Sequence, residues 1–481
     1  MSALRLLLAL AVPWTAGTLV ASALLPSRGR LERIALGWPL GWATVMAALF
    51  VLLRLGLTVG PATALGPLAL VGLAAALFRA FRRRSISVLI VPGKAREDGS
   101  PTAPPTSRCT RPSAPAMVFL ALAAAVFLVK VALLLVAAAF VPIRHDDALV
   151  IWLGRAKVIA GLGRLPLDPA DPLFLGGTHP DYPLFASLIP AWMALVAGEW
   201  RESWVGLPWP GFLFNLGLFA YAAARRRAGI VFGAVSAYFV TAMPLLLVHA
   251  LRPGYADLPL AACFATGVVL LIDWLYDRRR AMLVPALVLL AACAALKREG
   301  LFLALAAALG LLVPGLLRSE HRRDRPGRVI LPLVALLALG LTAALPWSFL
   351  PDTAAGLDYH PRVLPALAKH AWSWNSLALF GLCLPLGCLA LALRMRRGSL
   401  GSDASSGTPA AAALFFLLLL ACHWISVFLF TDNARFAFND QTPGRLLIQF
   451  APAAAFALLS VLRHQAGFAA PRGQDASHGT L

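Results

Sequence analysis

Apolar residues fall in continuous runs of about 20, the length that crosses a hydrocarbon core, and charged residues are largely confined to the gaps between them. The runs do not alternate with period two, and Ala and Leu dominate them. This predicts membrane-spanning helices and excludes an outer-membrane barrel. About 13 spans are expected, near 4–25, 34–56, 58–78, 117–141, 204–224, 229–249, 257–276, 281–296, 300–317, 329–349, 376–393, 411–430 and 445–462. The first run is long, contains Pro13 and is followed by chain as apolar as itself, so it reads as a retained helix.

Composition agrees with the pattern. The 481 residues are 60% hydrophobic and only 13% charged, which leaves no soluble domain of useful size. The expected class is therefore an all-α polytopic membrane protein whose chemistry sits in loops and helix ends. Six scattered cysteines without a Cys-x-x-Cys pair suggest neither a disulfide framework nor a thiolate metal site.

The formal charge of +20 invites a nucleic-acid reading, and the placement of the charges argues against it. Most Lys and Arg fall in clusters between apolar runs: Arg28/Arg30/Arg33, Arg79 to Arg111, Arg225 to Arg227, Arg278 to Arg280, Arg318 to Arg328, Arg394/Arg396/Arg397 and Arg463/Arg472. The positive-inside rule puts these on the cytoplasmic side, with the N-terminus outside and the C-terminus inside. Residues 1–79 then form three N-terminal spans, and 80–116 a cytoplasmic linker rich in Pro, Ser and Arg that is expected to be disordered. Residues 117–462 form the main transmembrane core, and 463–481 a cytoplasmic tail. The opposite face is balanced in charge. At or near it lie His145, His179, His249, His360, His370 and His423.

The longest outer segment, 142–203, opens on Arg144-His145-Asp146-Asp147 and runs on to Thr178-His179-Pro180-Asp181-Tyr182-Pro183. Two adjacent carboxylates at a membrane boundary are expensive unless they bind a cation or work as acid and base; the plain alternative is a solvated loop pair. Trp152, Arg155 and Lys157 are expected on one side of a short surface helix, and 184–198 as a re-entrant or surface helix broken by Pro190. Arg252-Pro253-Gly254-Tyr255-Ala256-Asp257 is a tight turn in which Asp257 either caps a helix or joins the site. Lys297-Arg298-Glu299-Gly300 is a charged break between two short runs, read either as a salt-bridged hairpin tip or as buried charge with a function. Arg445 follows Asp440 and Thr442-Pro443-Gly444 at the start of the last span, where it either snorkels or binds an anion.

Taken in order, His145-Asp146-Asp147, Trp152, Lys157, His179 to Leu184, Gly254 to Pro259, Lys297 to Gly300 and Arg445 to Pro452 resemble bacterial GT-C glycosyltransferases. These are the polytopic relatives of protein O-mannosyltransferases and lipid A aminoarabinose transferases. The resemblance covers about residues 117–462; Arg298 departs from the smaller polar residue expected there, and the three N-terminal spans lie outside the shared core. It implies a polyprenyl-phosphate sugar donor, an envelope acceptor, and a periplasmic active site in the bacterial inner membrane. It also implies a catalytic carboxylate in the first long loop, often with a divalent metal.

Such a reaction needs a base for the acceptor hydroxyl and positive charge on the leaving phosphate. Asp146 or Asp147 is the candidate base; His145, Asp146 and Asp257 are a candidate set for Mg²⁺ or Mn²⁺. Arg252, Lys297, Arg298 and Arg445 are candidate phosphate contacts, with Glu299 beside them. Trp152, Lys157, His179, Asp181, Tyr182 and Tyr255 are candidate substrate contacts, the aromatic rings for stacking. Two other classes fit the same pattern: a multi-span transporter of a small solute or lipid-linked saccharide, and a non-catalytic subunit that binds a lipid carrier. No internal repeat favours the transporter.

Overall fold

The computed structural model describes residues 2–89, 113–145, 147–175, 182–317, 359–372, 404–439 and 442–465, with Pro385 and Leu389 as isolated positions. All regular elements among them are helical. Among the described residues eight helices are long and apolar enough to cross a membrane, or nine if a bent pair is one span, so the chain is a polytopic membrane protein. The eight correspond to expected spans 4–25, 34–56, 58–78, 117–141, 257–276, 300–317, 411–430 and 445–462, and the bent pair to 229–249. Expected spans 204–224 and 281–296 are helices as well, one carrying three arginines in its last turn and the other shorter than a span requires. Those at 329–349 and 376–393 lie outside the described residues.

In chain order the helices are α1 (Ser2–Leu24), α2 (Arg30–Arg54), α3 (Pro61–Leu89), α4 (Ala114–Phe140), α5 (Gly154–Leu162), α6 (Phe185–Ala197), α7 (Glu202–Val205), α8 (Pro208–Ala228), α9 (Ile230–Thr241) and α10 (Pro244–Leu251). They continue as α11 (Asp257–Asp277), α12 (Leu283–Leu296), α13 (Arg298–Ala307), α14 (Val313–Leu317), α15 (Leu364–Ala371), α16 (Ala404–Leu429) and α17 (Thr442–Gln465). α3 runs ten residues into the stretch expected to be a disordered linker. Its Arg, Ala, Phe and Leu residues are good or tolerable helix formers, and the first Pro and Gly after it come at Pro92 and Gly93.

α11 is the central helix. It is buried on every side from Asp257 to Leu275, between α12, α17, α8 and α2, as an all-round apolar helix must be. The N-terminal helices belong to the same core. The Trp38 and Trp42 rings of α2 pack against Phe212 of α8, and the Trp192 indole of α6 donates to the Ala9 carbonyl of α1 at 2.9 Å. α1 and α2 approach closely because Gly41 lies against the Pro13 carbonyl, where any side chain would collide.

Two expectations about the long loop change. Of the re-entrant and surface alternatives for 184–198, the surface one falls, because all thirteen residues of α6 are buried inside the bundle. Trp152 and Arg155 are buried while Lys157 is exposed, so the three do not share a face. Five positions along a helix turn the side chain about 140° away from the first, which separates Lys157 from Trp152.

Candidate functional site

Three breaks in helical regularity and one face of a regular helix bring charged residues to one end of α11. Pro244 has no backbone N–H and drives Met243 out of the helical region (φ −59°, ψ 115°), so the α9–α10 span bends by 62° and ends at His249 and Arg252. Gly254 then takes φ +105° and lies against the Ala148 side chain, where a Cβ would come within 2.9 Å. That approach seats the π-helical turn Ala148–Leu153, and with it Asp147, beside the turn. Lys297 adopts an extended conformation (φ −157°, ψ 149°) between α12 and α13, and Gly300 allows the returning helix to touch the Cys293 carbonyl. Finally, Arg445 and Gln449 lie one turn apart on α17 and present the same face.

Asp257 is the hub. It is fully buried, and its Oδ1 accepts from Lys297 Nζ at 3.0 Å and from Gln449 Nε2 at 2.6 Å. Its Oδ2 accepts from Arg445 Nη2 at 3.3 Å, with His249 Nδ1 at 3.9 Å. The helix-cap alternative does not apply: Ala256 is the cap position, and no side-chain cap bond is made there. Arg445 also donates through Nη1 to Asp147 Oδ2 at 2.7 Å, and its guanidinium stands 4.6 Å from the centre of the Tyr255 ring. Lys297 is also paired with Glu299 at 3.4 Å. Burial disfavours the Lys297 ammonium, but the carboxylates of Asp257 and Glu299 more than reverse this and hold its pKa above the ordinary lysine range. Lys297 is therefore a fixed charge at any physiological pH. Burial also raises the Tyr255 phenol, against the opposing effect of Arg445.

The cluster leaves buried polar atoms unsatisfied. His249 Nδ1, Glu299 Oε2 and Arg445 Nε are shielded from solvent and meet no hydrogen-bond partner among the described residues. The side chain of Asp147 is 47% exposed and that of Arg445 24%, so a molecule arriving from outside the bundle reaches these two before Lys297 or Asp257.

The other expected residues scatter around this centre. Tyr182 is half-buried against the Trp152 ring at 5.2 Å, and its carbonyl accepts from Arg155 at 3.0 Å. His145 is half-buried, with its ring 6.0 Å from that of Tyr255. Of the four expected phosphate contacts, Lys297 and Arg445 meet at the Asp257 carboxylate, while Arg252 and Arg298 are exposed. Asp146, His179 and Asp181 lie outside the described residues. Against protein-family profiles, curated proteins and solved structures the chain gives no match.

Among the described residues no group of three His, Cys, Asp or Glu side chains is placed to hold a metal ion. Both Asp257 oxygens already accept hydrogen bonds, Oδ1 from Lys297 and Gln449 and Oδ2 from Arg445. Two members of the cluster had no assigned role in the sequence. Gln449 carried one signal, a lone amide four positions after Arg445 in an otherwise apolar run. His249 stood out only as a histidine at a helix end.

Proposed function

We propose that the chain is a membrane glycosyltransferase that moves a sugar from a polyprenyl-phosphate donor to an envelope acceptor at the periplasmic face of the bacterial inner membrane. The observation that carries this reading is the unfinished bonding of the Asp257 cluster. Buried polar atoms are nearly always paired in a native protein, and here three without a partner among the described residues belong to one group of charged residues with an accessible edge. A site that receives a polar ligand has this signature.

The residues divide by accessibility. Asp147 is the carboxylate of the cluster most open to an acceptor hydroxyl, with Asp146 beside it in sequence as the second candidate. It takes the hydroxyl proton as the acceptor oxygen bonds to the anomeric carbon and the bond from that carbon to the phosphate oxygen breaks. The phosphate leaves with its negative charge, and Arg445 is the cation within its reach. Lys297 and Gln449 hold Asp257, and Asp257 holds Arg445; these are positioning residues. Asp146, His145 and Asp257 are the residues that would hold Mg²⁺ or Mn²⁺, which would supply further positive charge to the leaving phosphate.

The test is release of polyprenyl phosphate from a labelled polyprenyl-phosphate sugar by the purified protein in nanodiscs. Release that depends on Asp147 supports the proposal, and donor binding without release would make the chain a carrier-binding subunit. A transporter reading keeps one observation in its favour. The α9–α10 span is broken mid-way and ends beside buried charge, as in transporters built on discontinuous helices. Uptake of a labelled saccharide into protein-containing liposomes, without sugar transfer, would favour it.

A further inference from the structure

A hollow of mixed polar and apolar lining lies at the same end of the bundle and is not used by the chemistry above. It has a volume of about 930 Å³ and forms between the turn that leads into α15 and the loop that joins α16 to α17. That size is within the range of small-molecule sites. The two segments are tied together, since the His360 backbone N–H donates to the Leu429 carbonyl at 2.8 Å. The loop then enters α17 three residues before Arg445, which places the hollow on the same side as the Asp257 cluster.

Its lining is of two kinds. Arg362 and Arg435 supply two guanidinium groups, one from each segment, and Tyr359 and Phe438 supply two exposed aromatic rings over a floor of buried Val363 and Ala434. Arg435 is steadied by the Phe436 ring, 4.7 Å from its guanidinium. No carboxylate among the described residues pairs with either arginine, in contrast to Arg445, which has two. Two guanidinium groups lining one hollow suit a bidentate anion such as phosphate or carboxylate, and flat rings suit the apolar face of a sugar.

We propose that this hollow binds a saccharide bearing an anionic group, and that it seats the acceptor. The acceptor role rests on the transferase reading; the binding does not, and it is measured without turnover.

The experiment uses the full chain in nanodiscs of phosphatidylcholine, titrated with glucose 1-phosphate, glucuronate and glucose and followed by ligand-observed NMR. The two anionic sugars should bind and glucose should not. Each of Arg362→Gln and Arg435→Gln should weaken binding roughly tenfold, and Arg435→Lys should restore part of it. Arg226→Gln, at the far end of α11, should leave binding unchanged, and because binding is read without turnover, failure of the transferase reading and failure of this one give different results. A second arm replaces the soluble sugars with phosphatidylinositol in the disc. Arginine-dependent binding there assigns the site to a lipid headgroup, and binding in the first arm to a soluble ligand. Equal binding of glucose, affinity unchanged in the double Arg362→Gln, Arg435→Gln variant, or no binding in either arm would overturn the proposal.

Discussion

The two ends of α11, about 24 Å apart along its axis, carry the same device in two versions. At one end Asp257 is buried among Lys297, Arg445 and Gln449; at the other Asp273 is buried among Arg28, Arg226 and Arg227. The Asp273 cluster is closed. Glu32 pairs with Arg28 at 3.2 Å and with Arg226 at 3.4 Å, Asp277 adds a third carboxylate, and none of its side-chain atoms is buried without a partner among the described residues. The Asp257 cluster has two strong cations against three carboxylates, an exposed Asp147 and three unsatisfied buried atoms. Charge burial by itself therefore says little about function. A satisfied cluster ties helices together; an unsatisfied one with an open edge is where a ligand has something to bind.

That contrast can be broken by substitution. The largest effect is expected for Asp273→Ala, which strips three arginines of their common partner. Removing one side of a buried ion pair costs about 3–5 kcal/mol, so the variant should melt much earlier in detergent or fail to accumulate. A melting temperature equal to wild type would show that the cluster is not the tie described. Asp147→Asn should do the reverse. Its carboxylate is half exposed, so stability should change by less than about 1 kcal/mol, while transfer falls at least about a hundredfold if it is the base. Normal turnover of both Asp147→Asn and Asp146→Asn would return the loop to a solvated pair. The smallest effect belongs to Arg226→Gln. Its side chain is one-third exposed, and Arg28 and Arg227 still hold Asp273, so a loss within about 1 kcal/mol and unaltered transfer are expected. A transfer defect there would couple the two ends in a way the present account does not include.

The sequence made the membrane class and most spans legible because a run of 20 apolar residues has few other uses. It also pointed to Asp257, Lys297 and Arg445, since an ionisable residue at the end of an apolar run is rarely neutral in its consequences. It did not show that Lys297 and Arg445 share the Asp257 carboxylate, because their contact depends on backbone events spread over more than 50 residues of chain. These are the bend at Pro244, the positive φ of Gly254 and the extended Lys297. Arg252 and Arg298 looked equivalent to Lys297 and Arg445 in one dimension; three-dimensional packing leaves them exposed. The face shared by Trp152, Arg155 and Lys157 failed on helical geometry alone. The Asp273 tie was hidden for a different reason, since its arginines read as topology signals and were not tested as partners.

The central claim is that the open end of α11 handles a sugar phosphate and the closed end does not. The direct measurement is the rate of polyprenyl phosphate release against donor concentration for wild type, Arg445→Ala and Arg226→Gln in the same nanodiscs. A charge-assisted contact to phosphate contributes roughly 1.5–3 kcal/mol, so Arg445→Ala should lose about tenfold to a hundredfold or more in kcat/KM while Arg226→Gln stays near wild type. A loss under about threefold for Arg445→Ala, or equal losses for both, would contradict the account.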